Sequence, residues 1–319
     1  MANLKAWISA ARLRTLPLSI SGIIVGSSMF NNLKVNTNPS LEYSEGFGGK
    51  LLYFSETSIF WLAIATTLGL QILSNFANDY GDGVKGTDNE DRVGPQRALQ
   101  SGAITKKEMF RGIVITAIVT LCLAICLIYQ SFGQAYFLYS VFFFLLGVAA
   151  IIAAIKYTMG KTAYGYRGLG DVFVFVFFGL VSVIGCYFLF TKQLNWLIIF
   201  PAITIGMLSS AVLNLNNLRD HDSDKKAGKN TLVVKLGVSA AKKYHYLLLF
   251  IALCSMIVFI VNTYDSYFDL LFLIAFIPLI IHFFKVIKTE DTKELDPELK
   301  KVALSTFLLS ILFSIGQIF

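Results

Sequence analysis

Residues 134–155, QAYFLYSVFFFLLGVAAIIAAI, contain no charged side chain. Wound as an α-helix they extend roughly 33 Å, about the thickness of the hydrocarbon core of a bilayer. A helix of that length in water carries a polar face, and this one has none. Runs of the same kind, or close to it, lie at about 15–30, 58–77, 109–129, 169–190, 194–217, 244–262, 268–285 and 301–318. The reading is therefore an all-α integral membrane protein of nine transmembrane helices. Composition agrees: of 319 residues 55% are hydrophobic and 15% charged, against about 25% charged in a soluble domain. A soluble enzyme, a disordered scaffold and a secreted disulfide protein are excluded. Cys122, Cys126, Cys186 and Cys254 all sit inside apolar runs with no CxxC pair, so no zinc knuckle is indicated.

Nine spans leave alternating extramembrane segments. Segments 1–14, 78–111, 156–168, 218–243 and 285–301 hold 24 of the 27 Lys and Arg residues. Basic residues concentrate on the cytoplasmic side, which puts the N-terminus inside and the C-terminus outside the cytoplasmic membrane. The formal net charge of +7 is thus topological and gives no argument for a nucleic-acid partner. The first run follows Lys5, Arg12 and Arg14 but lacks a small-residue cleavage site, so it reads as a retained span.

The 20 acidic residues are more telling than their number. One cluster follows the second span: Asn75, Asn78, Asp79, Asp82, Lys85 and Asp88, then Arg92 and Arg97. A second follows the sixth: Asn214, Asn216, Arg219, Asp220, Asp222, Asp224 and Lys229. Asn78 and Asp82 lie 138 residues before Asn216 and Asp220, and Asp88 lies 136 before Asp224. Such a repeat suggests one domain, 1–319, built of two halves, 1–155 and 156–319, that meet at a shared site. Asn75, Asn78 and Asp82 fall on one helix face by spacing, as do Asn216, Asp220 and Asp224. Carboxylates converging there need a counter-charge. Mg²⁺ supplies it, taking carboxylate oxygens and completing its shell with water and phosphate oxygens. The neighbouring Lys and Arg side chains suit a diphosphate, and the lipid setting suits a diphosphate with an apolar tail.

At these residues the chain resembles the UbiA superfamily of intramembrane prenyltransferases. The stretch Asn78-Asp79-Tyr80-Gly81-Asp82 to Arg97, the run Tyr157 to Asp171 through Tyr164-Gly165-Tyr166, the stretch Asn216 to Thr231, and the opening Arg12-Leu13-Arg14-Thr15-Leu16-Pro17 are similar to the branch whose acceptor is 1,4-dihydroxy-2-naphthoate. In the first motif Gly86 stands where many members carry the last acid, which here comes at Asp88.

The resemblance implies a nine-helix bundle around a cavity open to lipid. It also implies Mg²⁺-dependent transfer of a polyprenyl group from polyprenyl diphosphate to 1,4-dihydroxy-2-naphthoate, with loss of CO₂ and diphosphate. On that basis Asp82, Asp88, Asp220 and Asp224 are expected to hold metal. Asn78, Arg97, Asn216, Arg219 and Lys229 are expected at the diphosphate. Asp79 is expected to ligate a second metal or assist deprotonation of the naphthol. Tyr157, Tyr166 and Asp171 are expected near the aromatic acceptor, with Arg14 at its carboxylate. Other acceptors of the superfamily, such as 4-hydroxybenzoate or homogentisate, fit the same motifs. A cation-coupled transporter fits less well, because transporter sites lie near the bilayer midplane and these acids lie at span ends. A membrane CDP-alcohol phosphotransferase needs an Asp-Gly-x-x-Ala-Arg core that this chain lacks. The sequence sets neither prenyl chain length nor oligomeric state.

The topology is tested by a reporter fused after Phe319. It is expected to report the non-cytoplasmic side, and a cytoplasmic signal would break the nine-span alternation.

Overall fold

The computed structural model describes residues 2–30, 57–87 and 94–319, which contain helices, turns and bends and no strand. Nine helical segments among them are long and apolar enough to cross a membrane: α1 (Leu4–Ser28), α2 (Ser58–Lys85), α3 (Lys106–Phe132), α4 (Phe137–Lys156), α5 (Gly170–Thr191), α6 (Trp196–Arg219), α7 (Val238–Thr263), α8 (Tyr267–Lys288) and α9 (Thr292–Ile318). These are the nine runs of the sequence. Their ends are set by local chemistry. Thr105 accepts from the Glu108 backbone while Glu108 returns to the Thr105 N–H, a capping box that starts α3. Ser266 and Asp269 do the same for α8. At the other end of α2, Gly86 takes φ 75°, the left-handed conformation that closes a helix.

The three largest departures from the runs each have a cause. α1 begins at Leu4 rather than near residue 15, and it breaks at Arg12, which adopts φ 53° and ψ 59°. The chain passes through a 3₁₀ turn, Leu13–Thr15, and resumes at Leu16 with Pro17 in its first turn. The break leaves the Ala11 carbonyl without an intrahelical donor, and the Asn75 amide of α2 donates to it at 2.9 Å. α2 continues past residue 77 to Lys85, carrying its polar end beyond the apolar run. α9 starts at Thr292, ahead of the apolar run at 301, with Asp296 and Glu298 in the first α-helical turn where the dipole favours anions.

α6 packs against α5, α7 and α9, and α1 touches α2, α5, α6 and α9. Close approach in lipid depends on small residues. Gly22 and Gly26 of α1 lie on α5, where a Cβ on Gly26 would come 2.3 Å from the Val183 carbonyl oxygen. Gly179 of α5 meets Gly206 of α6 in the same way, 2.7 Å from its Cα. The stretch of α5 that receives α1, Phe175–Gly185, is wound as a π-helix. Toward the N-terminal ends of α7 and α9 and the C-terminal end of α8 a buried polar chain ties the helices together. His245 and His282 meet through their Nε2 atoms at 2.8 Å, and His282 Nδ1 meets Glu298 Oε2 at 2.6 Å.

Gly26→Leu would push a side chain into the Val183 backbone, which cannot move aside without unseating α5. A loss of about 3 kcal/mol is expected, read as a lowered thermal midpoint and poor monodispersity. Gly147→Ala, whose Cβ meets only Ala124 at 3.8 Å, is expected to be neutral.

Candidate functional site

The end of α2 and the end of α6 face each other, and the acids cluster where they meet. A pocket of about 20 Å³ is lined by Asp82, Thr87, Arg97, Asn216, Asp220, Ser223, Asp224 and Lys229. Both motifs contribute, as the matched spacing requires. Asp82, Asp220 and Asp224 are each about 5% exposed. Asn216, Asp220 and Asp224 do not share one continuous helix, contrary to the spacing. α6 stops at Arg219, Asp220 leaves it with φ −93° and ψ 8°, and a short helix His221–Lys226 follows. Short polar side chains compete for backbone groups here, as when the Ser223 hydroxyl donates to the Asp220 carbonyl at 2.9 Å. Two rungs survive the kink: Asp220 N–H to Asn216 O at 3.1 Å and Asp224 N–H to Asp220 O at 2.8 Å. All three side chains therefore still face one pocket.

Lys229 links the two motifs. Its ammonium lies 3.6 Å from Asp82 and 3.8 Å from Asp224. Burial alone would pull this ammonium toward neutrality, but Asp82 and Asp224 outweigh burial and hold its pKa above the usual lysine value. It is a fixed positive charge. Tyr166 completes this side. Its hydroxyl donates to Asp82 at 2.8 Å, so the Thr87 hydroxyl, 2.5 Å away, donates to Tyr166. Burial and then the Asp82 charge push the Tyr166 phenol pKa up, which keeps it a donor. Lys85 stacks over the same ring at 3.7 Å and donates to the Thr158 carbonyl at 2.7 Å. Thr158 in turn donates to the Ala77 carbonyl at 2.9 Å and lies 3.2 Å from Asn78 Oδ1. A Cβ on Gly81 would meet the Thr158 hydroxyl at 2.6 Å, so the glycine is what lets this loop lie against α2.

Asp79 points elsewhere. It is 1% exposed, ion-paired with Arg12 at the break of α1, and 3.3 Å from Arg97. Arg219 faces carboxylates: Nε and Nη2 donate to the two oxygens of Asp220 at 2.8 and 2.6 Å.

The pocket opens into a much larger cavity of about 700 Å³. Asp82, Arg97, Asn216 and Lys229 line both. The polar end of the cavity also carries Arg12, Arg14, Asn78 and Arg219, and its far end is apolar, with Ala63, Leu127, Phe143 and Leu189. Tyr157 lines it, and burial followed by the charges of Asp171 and Asp82 pushes its phenol pKa up. Asp171 sits behind, buried, holding a hydrogen bond from Tyr244. Of the three residues expected near an aromatic acceptor, Tyr157 lines the cavity, whereas Tyr166, which hydrogen-bonds Asp82 and Thr87 of the acidic pocket, and Asp171 are in neither lining. Asp88 and Arg92 lie outside the described residues.

The donors around the pocket are carboxylate and amide oxygens, the set a hard divalent cation takes, and the space suffices for an ion or a water. Among the described residues no three His, Cys, Asp or Glu side chains close on one point. That arrangement suits an ion that keeps water and phosphate oxygens in its shell. The sequence reading gave no role to Arg12, Asn75, Thr87, Thr158 or Ser223. All but Asn75 stand within the quoted motif stretches, but the partners of the first four are distant in the chain.

The profile of the UbiA prenyltransferase family matches residues 51–311. The 1,4-dihydroxy-2-naphthoate octaprenyltransferase of Haemophilus influenzae is 42% identical over 98% of this chain and 96% of its own. The enzyme of the same name from Escherichia coli is 40% identical over 99% and 96%. Among solved structures, a UbiA homologue from Archaeoglobus fulgidus bound to DMAPP and Mg²⁺ superposes with a TM-score of 0.64, covering 98% of this chain and 97% of that one. At 14% identity this last likeness concerns the fold.

Lys229→Met would leave Asp82 and Asp224 facing each other without their cation. A loss of about 3 kcal/mol is expected for breaking a buried pair, measured as a drop in thermal midpoint. Millimolar Mg²⁺ is expected to restore part of the drop. A variant as stable as the parent would refute the bridging role.

Proposed function

The chain belongs to the UbiA prenyltransferase family, and from that membership we propose that it is a 1,4-dihydroxy-2-naphthoate polyprenyltransferase of menaquinone biosynthesis. It would transfer a polyprenyl group from polyprenyl diphosphate and release diphosphate and CO₂, giving demethylmenaquinol. The observation that carries the reading is a Lys229-bridged acidic pocket opening into a deep apolar cavity. One end suits a diphosphate head and the other an isoprenoid tail. The near full-length relatives named for this reaction support the acceptor.

Asp82, Asp220 and Asp224, with Asn216 beside them, would hold Mg²⁺, and Asp88 is proposed to join them. When bound, Mg²⁺ supplies charge that favours departure of the diphosphate. Lys229 and Arg97 line both spaces and are proposed to hold its non-bridging oxygens, with Asn78 orienting it. The allylic C–O bond breaks, its electron pair leaves with the diphosphate, and the electron-rich ring attacks the allylic cation. The carboxylate of the attacked carbon leaves as CO₂, so no ring proton need be removed. Stabilisation of developing charge by fixed cations is the larger part of such catalysis. The apolar cavity keeps water from the cation. Tyr157, a neutral donor at the cavity wall, is proposed to contact the acceptor, with Arg14 near its carboxylate. Asp79 is proposed to hold Arg12 and Arg97 toward the cavity. The basic inner face supports placing the site on the cytoplasmic side of the cytoplasmic membrane.

Purified protein with Mg²⁺ and a polyprenyl diphosphate is expected to turn over 1,4-dihydroxy-2-naphthoate with one CO₂ per product. Turnover of 4-hydroxybenzoate in its place would overturn the acceptor. Asp82→Asn and Asp220→Asn are each expected to lower kcat/KM at least about a hundredfold, a loss of some 3 kcal/mol of transition-state stabilisation, with folding intact. Near-normal turnover in both would remove the metal assignment.

A further inference from the structure

A guanidinium carries five N–H donors in a rigid plane, and in Arg219 three groups fix that plane. Nε and Nη2 hold Asp220 at 2.8 and 2.6 Å, Nη2 also reaches Asn216 Oδ1 at 2.8 Å, and Nη1 reaches Asp296 Oδ1 at 2.5 Å. The Arg219 side chain is 2% exposed and that of Asp296 41%, so Asp296 fixes Nη1 from the solvent side of the fork. Asn216 and Asp220 come from the motif itself, whereas Asp296 comes from α9, 77 residues away. It is the one member of this set from outside the motif.

Asp296 is itself held. It opens the α-helical part of α9, just before Pro297. Two residues on, the buried Glu298 takes His282 on one oxygen and Lys301 on the other, each at 2.6 Å. His282 meets His245 of α7. The start of α9 is thereby pinned to α7 and α8 through Glu298, while Asp296 reaches α6.

We propose that Asp296 is a positioning residue for the acidic pocket. It locks the Arg219 fork, and the fork aims the Asp220 carboxylate at the space it shares with Asp82 and Asp224. A bidentate pair transmits orientation because two parallel hydrogen bonds fix both planes. Losing Asp296 leaves Nη1 to water, which fixes no direction, so the guanidinium is free to turn at little cost in stability, and Asp220 turns with it. The inference rests on the reading of Asp220 as a metal-holding carboxylate.

The test is Mn²⁺ binding to the purified full chain in nanodiscs, followed by EPR with Mn²⁺ alone, alongside the thermal midpoint. Asp296→Ala is expected to weaken Mn²⁺ about tenfold, the usual scale for groups that orient a ligand, with the midpoint close to that of the parent. Asp296→Asn keeps an acceptor oxygen and is expected to recover most of the affinity, which a purely structural role would not predict. Arg219→Lys, which keeps the charge and loses the fork, is expected to match Asp296→Ala, and it serves if the alanine variant does not fold. Parent-like Mn²⁺ binding in Asp296→Ala or Arg219→Lys, with binding lost in Asp220→Asn, would overturn the positioning role and leave the metal reading standing. Unchanged binding in Asp220→Asn would overturn the metal reading and this inference with it.

Discussion

Carboxylates buried at the edge of a hydrocarbon layer need cations or hydrogen-bond donors beside them, because the desolvation they suffer is otherwise unopposed. Asp79 has Arg12 and Arg97, Asp82 and Asp224 share Lys229, and Asp220 has Arg219. These partners come from the break in α1, the segment between α2 and α3, the loop after α6, and the end of α6. The acidic end of the bundle closes because each segment brings a charge that another requires. Pairing of this kind gives little net stability compared with apolar packing, but any one partner left alone is costly. It selects one arrangement of loops over others that bury as much apolar surface.

Much of this was legible in the sequence because two signals are local. A charge-free run of some 20 residues announces a span wherever it occurs, and all nine runs became helices. The motif residues Asp82, Asn216, Asp220, Asp224 and Lys229 gathered as their spacing implied. What could not be read depends on partners far along the chain. No glycine marks the break at Arg12. Its neighbour's carbonyl is satisfied by Asn75, 64 residues on. Nor does spacing reveal the kink at Asp220, where an apparently helical run of polar residues bends while keeping two rungs. Arg219 was expected at the diphosphate, and its orientation toward Asp220 and Asp296 depends on α9, far along the chain.

The bundle divides labour along its length. Away from the acidic pocket, close contacts between α1, α5 and α6 run through glycines. Around the acidic pocket, contacts are hydrogen bonds and ion pairs, and the cavity joins the two regimes. Its apolar walls give a tail no preferred orientation, whereas its polar end fixes a head group at several points. Rigid packing below thus holds the walls apart while charge at the mouth decides what is retained.

The π-wound stretch Phe175–Gly185 sets the register of everything on either side of it. Phe177, Phe178, Val181, Ser182 and Gly185 all line the cavity, a spread that the wider turn of a π-helix allows. Deleting one residue there and restoring ordinary winding would rotate one flank against the other by about 100°. Gly170 and Asp171, which now meet α6, and Cys186, which meets α1, could not then both keep their neighbours. An apparently featureless apolar segment is thus a phase adjuster, and its length in residues is as constrained as the identity of any acid in the pocket.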